Sequence, residues 1–132
     1  MSGEDRLTRG IRTYQRLRGK EVAKPLINAA EGDDAAAVRA RYALEACFGD
    51  IWDRSGLCLR SRSLVTLGIL IARALPEELK NHFRIALRNG LTPDELSEVV
   101  LHATPYVGFP ESAFAVRCLE DVLREPVEGN GS

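Results

Sequence analysis

Residues 76–90 read PEELKNHFRIALRNG, with Glu78 and His82 four apart. On a helix that spacing is one turn, so a carboxylate and an imidazole share a face. A carboxylate favours the charged imidazole and desolvation opposes it, a balance that suits proton transfer near neutrality. The same spacing also describes a surface pair worth about 0.2–0.5 kcal/mol. Leu79, Phe83, Ala86 and Leu87 form the apolar stripe of this helix, and Glu78 and His82 lie at its edge. His102 and Tyr106 form a second i,i+4 pair, with Val99 on their face and Pro105 between them. They either shape a pocket at an opened helix or belong to a satisfied core.

The stretch WDRSGLCLRSRS gathers Trp52, Arg54, Arg60 and Arg62 around a loop and a helix start. Guanidinium forks bind carboxylates in a bidentate way, so three arginines here describe an anion site; solvation and ion pairing describe them as well. Cys58 stands among them, where a thiolate is favoured. Cys47 and Cys118 read as packing residues. Three widely spaced cysteines without CxxC give neither a disulfide framework nor a zinc site. There is no phosphate loop, GxSxG elbow or HExxH pattern, and no metal is expected.

These residues need a scaffold. The chain has 132 residues, 45% of them apolar and 28% charged, which fits one globular domain over residues 1–125 with a flexible tail at 126–132. A net charge of −1 gives no reason to expect nucleic acid or an anionic membrane as partner. The start, MSGEDRLTRG, is not a secretory signal, and SLVTLGILIA is about half the length of a membrane span. The cytoplasm is the expected compartment.

No stretch alternates apolar and polar residues over a useful length, so the expected fold is all-α with about six helices. The first, near residues 4–18, carries Leu7, Ile11, Tyr14 and Leu17. The second starts near Asp33 and runs through Val38 and Tyr42 toward Phe48. GDIWDRSGLCLRSR reads as an irregular connection. The third, near 61–73, is apolar nearly all round and reads as central and buried. The fourth starts at Pro76 and ends at Gly90. The fifth starts with Thr92, Pro93 and Glu95 as a capping box and is interrupted by Pro105. The sixth spans about 110–124.

FGDIWDRSGLCLRSRSLVTL followed by EELKNHFRIALRNGLTPDELSEVVLHATPYVGFP resembles the carboxymuconolactone decarboxylase family. The likeness covers about residues 42–124. It implies the all-helical fold of alkylhydroperoxidase D-like proteins and a homo-oligomer, a trimer or hexamer. Peroxidases of that group carry CxxC before the histidine that matches His82; Leu75 and Glu78 stand at the thiol positions, which excludes that chemistry. The chain departs from the decarboxylase pattern at Cys58, His102, Pro105 and Glu111.

For a decarboxylase the resemblance implies a carboxylated lactone from aromatic catabolism, 4-carboxymuconolactone, and no cofactor. His82, supported by Glu78, would donate the proton. Arg54 or Arg62 would hold a carboxylate, His102 or Tyr106 would hydrogen-bond the lactone oxygen, and Trp52 would wall the pocket. A proton-transfer isomerase or cyclase on a related lactone or ketone, or a helical oligomer that binds a small ligand without turnover, remains open.

Overall fold

The computed structural model describes residues 4–126. Among them are seven α-helices and one π-helix, with no strand. They fall into two compact units, divided between Leu57 and Cys58.

In the first unit, α1 (Arg6–Arg18) packs on a π-helix (Ala43–Trp52) that continues α3 (Ala35–Tyr42). Asp5 and Asp34 cap α1 and α3 by accepting from the Thr8 and Ala37 amides. The contact between α1 and the π-helix is made backbone to backbone. A Cβ on Gly10 would stand 1.9 Å from the Leu44 carbonyl oxygen, and one on Gly49 would stand 2.9 Å from that of Arg6. Leu17 is fully buried, and Leu7, Ile11 and Tyr14 pack around Ala30, Ala40 and Leu44, as the expected stripe requires. At the rim, Arg6 and Arg9 converge on Asp50, at 2.7 and 3.2 Å.

Three expectations fail in this unit. First, α2 (Lys20–Ala29) was not expected. Gly19, at φ 85°, turns the chain between α1 and α2, and Pro25 removes only one hydrogen bond from within α2. Second, residues 49–52 belong to the π-helix, so the irregular connection shrinks to residues 53–58. Cys47 is exposed and is not a packing residue.

The second unit holds α4 (Leu59–Arg73), α5 (Pro76–Arg88), α6 (Pro93–Val107) and α7 (Phe109–Leu123). Helix α4 packs on α5 and α6, and α7 packs on the same two, so α5 and α6 lie across a diagonal. Leu67, Leu70, Ile71, Leu79, Phe83, Leu96, Val100 and Leu119 fill the centre, with Cys118 beside them. The helix signals of this unit are local, and they hold. Pro76 opens α5, Gly90 follows it at φ 99°, and Thr92 with Glu95 forms a complete capping box on α6.

The third expected helix, α4, is not buried all round. Leu67, Leu70 and Ile71 are buried, but Val65 and Ile69 are 57% and 52% exposed. Pro105 does not interrupt α6, which runs on to Val107. It falls in the last turn, where the Thr104 hydroxyl donates to the Val100 carbonyl and the Gly108 amide to that of Thr104. Residues 127–132 of the expected tail lie outside the described residues.

Candidate active site

The short loop after α4 makes α4 and α5 an antiparallel hairpin. Its seam is pinned at one end by Asn89, whose Nδ2 donates to Ser63 Oγ at 2.9 Å. Helical spacing puts Glu78, His82, Ile85 and Asn89 on one stripe of α5, and the Asn89 end of that stripe meets α4. Glu78 is exposed and His82 is half-buried, with its Nδ1 shut off from solvent. Arg62, next to Ser63, flanks the same seam from α4; it is half-buried and its Nε is likewise enclosed. The Ser63–Asn89 register sets Arg62 about 12 Å along the axis from His82, at 1.5 Å per residue.

A separate groove runs on the other flank of α4. Arg60, Leu64 and Gly68 line it from α4, and Glu95, Glu98, Val99, His102 and Tyr106 from α6, with a cavity volume of about 670 Å³. His102 and Tyr106 stack loosely, ring centroids 5.7 Å apart, and Tyr106 is 80% exposed. Arg60 is paired with Glu95, which leaves Glu98 as a further carboxylate in the lining. The lining favours apolar and neutral groups over an anion. His82 and Glu78 are not among the groove's residues, because α5 and α6 face each other across the diagonal.

The structure thus sets His82 and Glu78 on the α5 stripe that ends at Asn89, Arg62 beside Ser63 on α4, and His102 and Tyr106 in the α4–α6 groove. Arg60 and Arg62 diverge instead of forming one anion cluster. Trp52 and Arg54 belong to the first unit. Trp52 is buried at the end of the π-helix, and Arg54 is exposed in the loop that follows.

The carboxymuconolactone decarboxylase family pattern matches residues 35–121, which takes in the π-helix, both seams and most of α7. The chain belongs to the carboxymuconolactone decarboxylase family. It is 35% identical to the 4-carboxymuconolactone decarboxylase of Acinetobacter baylyi over 127 residues, 95% of this chain and 92% of the relative. It is 38% identical to the nitrosuccinic acid decarboxylase npaB of Metarhizium robertsii over 84 residues, 64% of this chain and 59% of that protein.

Within this carboxymuconolactone decarboxylase family member, Cys58 precedes α4 as its N-cap residue and is exposed. Its Sγ lies 3.3 Å from Ser61 Oγ. Hydrogen bonding from Ser61, side chain first and then backbone, holds the thiol below its usual range. The expected ease of ionisation is present, and its cause is the helix start, not the arginines. Asn89 and Ser63 were missed by sequence reasoning. The Asn-Gly at the end of α5 reads as a helix stop, and nothing local shows that the amide reaches α4.

Proposed function

We propose that this protein is a cofactor-independent carboxy-lyase acting on a carboxylated unsaturated γ-lactone of the 4-carboxymuconolactone kind. Family membership and two relatives named as decarboxylases support carboxy-lyase activity. The substrates in those two names share a chemistry. In 4-carboxymuconolactone a carboxylate stands γ to the lactone carbonyl through a C=C bond. In nitrosuccinic acid one stands on the carbon that bears the nitro group. Each molecule holds its own electron sink, and each keeps a second carboxylate after CO₂ leaves.

The observation that carries the reading is the Asn89–Ser63 tie between α4 and α5, with Arg62 next to Ser63 on one helix and His82 on the Asn89 stripe of the other, each with an enclosed ring or guanidinium nitrogen. Arg62 holds the retained acetate carboxylate as a bidentate fork. The bond to the departing carboxylate breaks, and its electron pair moves through the C=C bond to the lactone oxygen, giving a furanolate-like dienolate. His82 delivers a proton to the ring carbon α to the carbonyl, with Glu78 one turn away on the same face. The departing carboxylate is left weakly paired, since tight binding would stabilise the ground state as well.

The test is CO₂ release from 4-carboxymuconolactone generated in situ. Wild type turns over above about 1 s⁻¹, and His82→Ala loses a hundredfold or more. No release by wild type retires this substrate and moves the isomerase, cyclase and ligand-binding readings forward. Release retained by His82→Ala retires the proton donor.

The same protein is proposed to be a homo-oligomer. Val65, Ile69 and Tyr106 leave a large apolar surface on α4 and α6, and soluble chains rarely leave such a surface to water. A second copy covers it. Val65→Glu combined with Ile69→Glu lowers the mass measured by light scattering; an unchanged mass removes this face as the interface.

A further inference from the structure

The proton donor and the carboxylate anchor stand on different helices, and their separation is set by whatever holds those helices in register. We propose that Asn89 is a positioning residue for the decarboxylation: its side-chain amide locks the first turn of α4, and Arg62 with it, against the last turn of α5. The proposal rests on the roles given above to Arg62 and His82.

The geometry is specific. Asn89 Nδ2 donates to Ser63 Oγ at 2.9 Å and to the Leu59 carbonyl at 3.4 Å. Those two acceptors bracket Arg62 in the sequence. Ser63 is fully buried, so its hydroxyl has no water to turn to when the amide is removed. Arg62 is tied into the same turn by its own backbone. Its amide donates to the Cys58 carbonyl at 3.0 Å, and its carbonyl accepts from Thr66 Oγ1 at 2.9 Å. At the other end, Asn89 lies two turns beyond His82 on the same stripe of α5. The amide therefore joins the helix of the proton donor to the turn that carries the anchor.

The residue type matters. An amide offers two N–H groups to two oxygen acceptors, whereas a carboxylate of the same shape would face them with lone pairs. Ending the helix does not require this side chain. The Asn89 amide bonds the Ile85 carbonyl, the Gly90 amide that of Leu87, and the Leu91 amide that of Ala86. Gly90 supplies the positive φ and Leu91 is buried. Removing the Asn89 side chain thus leaves the end of α5 in place and releases only the tie to α4.

The experiment uses Asn89→Ala, Ser63→Ala, the double variant and Arg62→Ala in the full chain. Hydrogen exchange by NMR at the enclosed Arg62 Nε–H, and at the amides of the first turn of α4, is read first. It quickens tenfold or more in Asn89→Ala, while the α5 amides around Phe83 stay protected. Unchanged exchange at Arg62 overturns the proposal, with or without turnover. In CO₂ release, KM rises fivefold or more with kcat within about twofold, and the double variant is no worse than the worse single. A lowered Tm with an unchanged KM marks a merely structural role and overturns it too. Arg62→Ala separates the two levels. If it leaves KM unchanged, the anchor assignment has failed and the exchange data alone judge the tie. If it raises KM and Asn89→Ala does not, the anchor stands and the positioning role falls.

Discussion

Arg60 on α4 is paired with Glu95 on α6, and the same Glu95 carboxylate accepts from the Thr92 amide to close the capping box. One side chain therefore caps the start of α6 and joins α6 to α4 in the lining of their groove. Hydrogen bonding from the Thr92 amide, with the Arg60 charge behind it, holds the Glu95 carboxyl below its usual range. Thr92→Ala removes the reciprocal half, the hydroxyl that accepts from the Glu95 amide at 3.1 Å. It destabilises by about 1 kcal/mol. Thermal unfolding falls by a few degrees, and CO₂ release at 25 °C is unaffected.

Two glycine substitutions have opposite outcomes. Gly10→Ala drives a Cβ into the Leu44 carbonyl, where it would stand 1.9 Å away. The helices must part, at a cost of about 1–3 kcal/mol. Gly68 lies inside α4 with open space where a Cβ would go. Gly68→Ala gains up to about 1 kcal/mol of helix propensity. Urea unfolding of the two variants beside wild type reads both signs at once.

Cys58 and Cys118 differ in reactivity for opposite reasons. Ser61 and the helix-start amides lower the Cys58 thiol, and burial raises the Cys118 thiol. With iodoacetamide at pH 7–8, Cys58 is alkylated faster than Cys118, and Ser61→Ala slows Cys58 severalfold. Peptide mass mapping over time reads the order. Equal rates before and after Ser61→Ala would remove the hydroxyl as the cause.

Acid weakens the first unit through Asp50. The Arg6 guanidinium, hydrogen-bonded to Asp50, holds that carboxyl below its usual range. A carboxyl with a depressed folded-state pKa contributes stability above its unfolded value near pH 4, and loses it as the pH falls through the lower folded value. Asp50→Asn is therefore less stable than wild type at pH 7, and the two converge in strong acid. Urea midpoints between pH 2 and 7 measure the convergence.

His102 and His82 stand on diagonal helices, which keeps His102 out of the proposed proton transfer. His102→Ala keeps kcat for CO₂ release within about fivefold of wild type, whereas His82→Ala loses a hundredfold or more. Equal losses would place the chemistry in the α4–α6 groove instead.

Much of this was legible in the chain because the signals are local. Pro76, Gly90 and the Thr92–Pro93–Glu95 run each act through a neighbour within a turn, and each fixes its helix end as read. The motifs around Trp52 and His82 were sufficient for the family. The readings that failed depend on distant partners. A π-helix and an α-helix draw on the same residue types, and residues 43–52 meet α1 backbone to backbone, Leu44 at Gly10 and Gly49 at Arg6. Pro105 looked like a break because its missing N–H was visible, while its place in the last turn of a helix that runs on to Val107 was not.

The sequence by itself determined an all-helical chain, the ends of α5 and α6, and a histidine one turn after a glutamate at the edge of a buried stripe. All of these follow from 3.6-residue periodicity and capping chemistry. Only the tertiary structure decided which of the candidate residues share a surface. His82 and His102 have the same spacing from their partners, and a linear reading makes them one site. The cycle of contacts among α4, α5, α7 and α6 sets their helices across a diagonal, and the Asn89–Ser63 hydrogen bond ties the end of the His82 helix to the turn that carries Arg62. A pattern within one helix cannot carry that information, because it resides in how four helices exclude water from one core.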